Sequence, residues 1–138
     1  MHELGIKDFR FLGAPKLKWR DSGMMGTSQN DRKDVFWQAD LEIAAAELVK
    51  IILEIKPQVL ITYDEIGGYG HPDHIKAHLV AMRAAELAES RGWKIEKIYW
   101  NTMPKSVIQM GIEKMKEVGS DFFGAESADD LPFAKPDE

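Results

Sequence analysis

The chain has 138 residues, room for one ordinary domain with one core, and its 44% hydrophobic and 30% charged composition excludes a disordered polypeptide. A formal net charge of -5 argues against sequence-independent nucleic-acid binding, which needs a basic face. No apolar run reaches membrane-spanning length, the first residues form no secretory signal, and the lack of cysteine excludes disulfides, thiolate metal sites and cysteine nucleophiles.

Residues 8–13 alternate in polarity before a Gly-Ala-Pro break and read as a short strand. From residue 13 to 38 there is little periodicity. Within that stretch Asp21-Ser22-Gly23 has the composition of a turn. Asp40 can cap a helix starting at Leu41, whose apolar stripe is Leu41, Ala45, Leu48, Ile52 and Ile55; Pro57 ends it. Val59–Tyr63 follows as a strand apolar on both faces, the pattern of a strand buried in a parallel sheet. A loop over residues 64–70 leads into a second helix, from Pro72 to about Ser90. Its inward residues are Ile75, Leu79, Met82 and Ala85, and Gly92 is its terminator. Residues 95–100 read as another strand. Asn101, Thr102 and Pro104 open a third helix with Ile108, Ile112 and Met115 inward and Gly119 as its stop. Asp129-Asp130, in the acidic tail, reads as a solvated corner.

Alternating strands and helices predict an α/β fold with a parallel sheet, in which ligands gather beyond the carboxyl ends of the strands. The segment with the densest chemistry, Gly67-Gly68-Tyr69-Gly70-His71-Pro72-Asp73-His74, leaves the end of the most apolar strand. Pro72 at the first helical position makes His71 the N-cap and places Asp73 and His74 in the first turn. His71, His74 and His78 then stand at spacings that can share a face. Two readings stay open at this level. One is a glycine-rich turn into a capped helix with exposed histidines. The other is a metal-dependent hydrolytic site, whose ligands, without cysteine, are limited to His, Asp, Glu and water. The glycines match neither a dinucleotide fingerprint nor a phosphate loop, and no nucleophile elbow is present.

Taken together, Trp19-Arg20-Asp21-Ser22-Gly23-Met24, Thr62-Tyr63-Asp64 and the Gly67-to-His74 string resemble the PIG-L/LmbE-like zinc deacetylases. The likeness extends to Ser127-Ala128-Asp129-Asp130-Leu131-Pro132-Phe133. It is greatest to members that remove acetate from N-acetylglucosaminyl-inositol in mycothiol biosynthesis, with the S-conjugate amidases as near relatives. The resemblance implies a Rossmann-like three-layer fold, a parallel sheet flanked by helices. It implies that His74 is a zinc ligand, with iron(II) as an alternative metal. It implies that His71 is a cationic partner of the oxyanion and a proton source for the leaving amine, that Asp73 orients His71 by pairing, and that Tyr69 hydrogen-bonds the oxyanion. Asp21 and Met24 would line the sugar pocket, and the partner would be a small N-acetyl amino sugar in the cytoplasm.

The family's first motif, a His-Pro-Asp-Asp-Glu string that supplies two further ligands and the general base, is absent from these residues. The expectation is therefore one partial deacetylase domain over residues 1–138, incomplete at both ends and weak in zinc binding on its own. The same absence leaves room for a metal-free sugar-binding or interaction module.

Overall fold

The computed structural model describes residues 2–137. Helix α1 spans Leu41–Ile55, and the Asp40 carboxylate caps it by accepting the Ile43 N–H at 3.0 Å. The helix ends as Lys56 turns left-handed with φ 54°, immediately before Pro57. Strand β1, Val59–Tyr63, runs parallel to β2, Lys97–Asn101, in a register that pairs Val59 with Lys97 and Tyr63 with Asn101. Between them lies α2, Pro72–Ser90, which has proline at its start and stops at Gly92 with φ 93°. A second parallel pair joins β3, Met103–Pro104, to β4, Ala134–Lys135. Helix α3, Lys105–Glu117, lies between those two strands and carries buried Ile108 and Ile112.

The apolar side chains gather in two clusters. The first joins Ala45, Val49 and Ile52 of α1 to Ala84 and Ala88 of α2 and Ile95, with Leu60 and Ile98 of the sheet packed against it. The second joins Ile108 and Ile112 of α3 to Ala125, Ala128, Leu131 and Phe133 of the tail, and takes Tyr69 on its rim. Asp129 and Asp130 are exposed, as expected of an acidic corner, but both are engaged. Asp129 pairs with Lys105, and Asp130 closes a capping box with Ser127. The N–H groups of Ser127 and then Glu126 hold the Asp130 carboxyl below the usual carboxylate range.

Three expectations need correction. Residues 8–13 form no strand; Arg10 grips Asp8 and, across the chain, Glu54, while the Phe11 and Gly13 carbonyls accept the Ala14 and Leu17 N–H groups in local turns. Strand β1 is not buried on both faces: Val59 and Ile61 are 47% and 72% exposed, because helices cover only the Leu60 side of a two-stranded sheet. The inward face of α2 is Val80, Ala81, Ala84 and Ala88 rather than the predicted stripe, and Leu79 points outward. Small side chains let α1 and α2 approach closely, so the contact follows the alanines and not the largest residues. Residues 13–38, which have little periodicity, nonetheless hold regular turns. They contain the short 3-10 turns Ser28–Asp31 and Phe36–Gln38, and Arg20 bridges to Val35. Lys76 ties this segment to α2 by donating to the Ala39 carbonyl at 2.9 Å, and burial pulls its ammonium below the usual lysine range.

Candidate active site at the end of the first strand

The site forms where β1 ends and α2 begins. The Asp64 carboxylate, buried, accepts the Gly68 N–H at 2.7 Å, and the Gly67 N–H donates to the Asp64 carbonyl at 3.0 Å. These bonds fold Gly67–Gly70 into one distorted turn, with Gly67 at φ 68° and Gly68 at φ 71°. A Cβ on Gly67 would lie 2.7 Å from the Ile75 nitrogen and 2.9 Å from the His74 Cβ, so only glycine lets this turn press against the helix.

His71 is the N-cap of α2: its Nδ1 accepts the Asp73 N–H at 3.2 Å. A nitrogen that accepts carries no proton, so this contact puts the ring hydrogen on Nε2. The cationic role expected of His71 requires that contact to open. Its Nε2 lies 3.9 Å from Asp21 Oδ2. His74 is arranged the other way: its Nδ1 faces the Gly67 carbonyl at 3.1 Å and must donate, so its neutral tautomer keeps the lone pair on Nε2. Its ring stacks on Tyr63, centroids 3.9 Å apart and planes 7° apart, and meets the edge of Tyr69 at 5.1 Å. His78, on the same helix, is buried; its Nδ1 contacts the Tyr63 carbonyl at 2.9 Å and its ring meets Trp100 edge-on.

The Asp73 carboxylate does not hold the His71 ring as the resemblance implied. One oxygen accepts the Ser22 hydroxyl at 2.5 Å and the other the Ser22 N–H at 3.1 Å. Asp73 meets His71 through its backbone instead. Asp21-Ser22-Gly23 is indeed a turn, closed by the Gly23 N–H on Asp21 Oδ1 at 2.8 Å, and it lies beside the site. Met24 is exposed on the same loop, its carbonyl accepting from Asn30 and Thr27. Next to Asp21 and Asp73 opens a cleft of about 630 Å³ walled by Phe11, Trp19 and Phe36.

Asp21, His71 and Asp73 bring one ligand atom each within 4.8 Å of one another, the spacing of a metal group. Hydrogen bonding disfavours His71 as a ligand there, since its Nδ1 accepts the Asp73 N–H, while each Asp73 oxygen accepts one bond from Ser22 and keeps a further lone pair. His74 fits a metal better: a ring N–H fixed on a carbonyl and a free Nε2 is the usual arrangement of a ligating imidazole. The hydrogen bonds of Ser22 and His78 and the stack of Tyr63 on His74 were not legible in the sequence, because each partner is remote along the chain.

The architecture and the site define an α/β protein that carries a histidine pair on a glycine-rich strand-to-helix crossing. A family model described as PIG-L, GlcNAc-PI de-N-acetylase, matches residues 1–85, and the chain belongs to that family. It is 55% identical to the 1D-myo-inositol 2-acetamido-2-deoxy-alpha-D-glucopyranoside deacetylase 1 of Catenulispora acidiphila, over 99% of this chain and 45% of that protein. The corresponding deacetylases of Geodermatophilus obscurus and Thermobispora bispora are 50% and 54% identical, over 100% and 97% of this chain and 50% and 46% of those proteins. The chain thus spans about half the length of the curated relatives it matches.

Proposed function

We propose that this chain serves the metal-dependent removal of acetate from 1D-myo-inositol 2-acetamido-2-deoxy-alpha-D-glucopyranoside, a step of mycothiol biosynthesis. The names of the relatives and the family membership support the substrate class. The observation that carries the reading is the contact of His74 Nδ1 with the Gly67 carbonyl at 3.1 Å, which commits Nδ1 as a donor and leaves Nε2 as the nitrogen that can ligate. In this reading residues 1–138 belong to one deacetylase domain of Rossmann-like three-layer architecture, working in the cytoplasm on a small sugar, without nucleic acid or membrane. Among the described residues no helix is long and apolar enough to cross a membrane.

His74 holds the metal, zinc or iron(II), and the stack on Tyr63 keeps the ring in plane. When bound, such an ion polarises an amide carbonyl and makes water a nucleophile near neutral pH. His71 directs its Nε2–H, and Tyr69 its hydroxyl, at the oxygen that gains charge as the acetamide is attacked. Asp21 and Met24, on the loop across from the helix, contact the sugar, and the adjoining cleft has room for the rest of the substrate. Asp73 keeps that loop and His71 in one frame.

The test is release of acetate and free amine from the 2-acetamido sugar by the full-length protein at defined zinc or iron(II) loading. Turnover that follows metal content is expected. Metal-loaded protein that leaves the acetamide intact overturns the reading.

A further inference from the structure

We propose that Ser22 is a positioning residue that locks the loop of residues 19–27 to the first turn of α2 and thereby sets Asp21 against His71. Its side chain is fully buried, and each of its polar atoms has a partner. The hydroxyl accepts the Trp37 N–H at 2.9 Å, so its own hydrogen must go to Asp73 Oδ1, at 2.5 Å. Its N–H donates to Asp73 Oδ2 at 3.1 Å, and its carbonyl accepts from Asn30 Nδ2 at 2.6 Å. Asn30 also receives the Gly26 N–H at 2.8 Å, which closes the loop on itself.

This arrangement fixes what Asp73 can do. Each Asp73 oxygen accepts one hydrogen bond from Ser22, so the carboxylate is committed to the loop. Its chemical work is mechanical: it is the peg on α2 into which the loop is set. The peg lies two residues from His71, and Ser22 is next to Asp21, so one clamp fixes the separation of the two groups, 3.9 Å between Asp21 Oδ2 and His71 Nε2. Misplacing reacting groups by about 1 Å costs on the order of 10²-fold in rate.

The roles of Asp21 and His71 in turnover rest on the function proposed above, so the test has one arm that needs no substrate. In the full-length protein Ser22→Ala is expected to raise amide hydrogen exchange across residues 19–27 while leaving zinc affinity, read by chelator competition, unchanged. Toward the 2-acetamido sugar it lowers kcat and raises KM, with kcat/KM falling about 10–100-fold. Asp73→Asn gives a similar loss, and the double variant is no worse than the weaker single, because the two residues act as one unit. Unchanged exchange in Ser22→Ala, losses that add in the double variant, or loss of zinc along with activity each overturn the proposal. Exchange that rises as expected in a protein inactive on the sugar keeps the clamp and sinks the proposed substrate instead.

Discussion

Two histidines three positions apart on one helix are set to opposite tasks by what each Nδ1 meets. The Asp73 N–H against His71 forces acceptance and leaves a donor at Nε2; the Gly67 carbonyl against His74 forces donation and leaves a lone pair. His74→Ala is therefore expected to lose most bound zinc from the full-length protein, measured as metal per protein after gel filtration. His71→Ala should keep its metal and lose turnover by roughly 10²–10³-fold, the scale of a lost oxyanion donor. Metal loss in the second variant would mean that the two roles are exchanged. Tyr63 adds a further handle, since its ring lies flat on His74. Tyr63→Leu should weaken zinc affinity about 10–100-fold, the usual cost of losing a group that orients a ligand. Tyr63→Phe, which keeps the stack, should not; equal affinity in both variants would remove the ring from the account. The spacing of the histidines was legible in the sequence, and so was their place at a helix start. The ring orientation of His74 was not, because the Gly67 carbonyl that decides it comes from a turn whose shape depends on Gly67 and Gly68 adopting positive φ.

The elements that sequence foretold well are those whose ends are fixed by local chemistry. Asp40 and Pro57 bound α1, and Pro72 and Gly92 bound α2, each through an effect that acts within a few residues. Elements defined by partners fared worse. Residues 8–13 have the alternation of a strand but pair with no other strand, Arg10 reaching Glu54 of α1 instead, and the face of α2 followed small residues that periodic reading undervalues. Between strand and helix, Gly67 is the position where local chemistry and packing coincide. Gly67→Ala puts an alanine into left-handed backbone, at about 1–2 kcal/mol, and drives its Cβ to 2.7 Å from the backbone nitrogen of Ile75. Gly70, at φ 86°, has nothing within 4 Å of an added Cβ. Denaturant unfolding and zinc titration of the two alanine variants should separate these effects. Gly70→Ala should show the conformational cost alone, while Gly67→Ala should lose more stability and zinc affinity as well, because the clash displaces the turn carrying His74. The reverse order would show that the close approach at Gly67 is not what seats the helix.

At the scale of the molecule, the elements that carry the site are held by different apolar clusters. His71 and His74 ride on α2, whose far end packs into the first cluster, whereas Tyr69 leans on the second and touches Phe123. The geometry of the site thus depends on how α3 and the tail seat against the turn of Gly67–Gly70. The sheet is the uneven part of this assembly. Leu60 and Ile98 face the helices, while Val59, Ile61 and Tyr99 form an exposed apolar strip on the other side. A two-stranded sheet with such a face and open backbone edges is prone to pair with another copy. Residues 1–138 prepared alone should therefore associate as concentration rises, seen as a growing weight-average mass in sedimentation. Ile61→Lys places a charge at the centre of the strip and should return the protein to monomer. Its effect on folding should be small, because Ile61 is 72% exposed and packs against neither apolar cluster. Its circular dichroism should match that of the unsubstituted chain. A chain that stays monomeric at every concentration, or an association that survives the lysine, would place the sticky surface elsewhere, with exposed Phe9 and Phe11 the next residues to substitute.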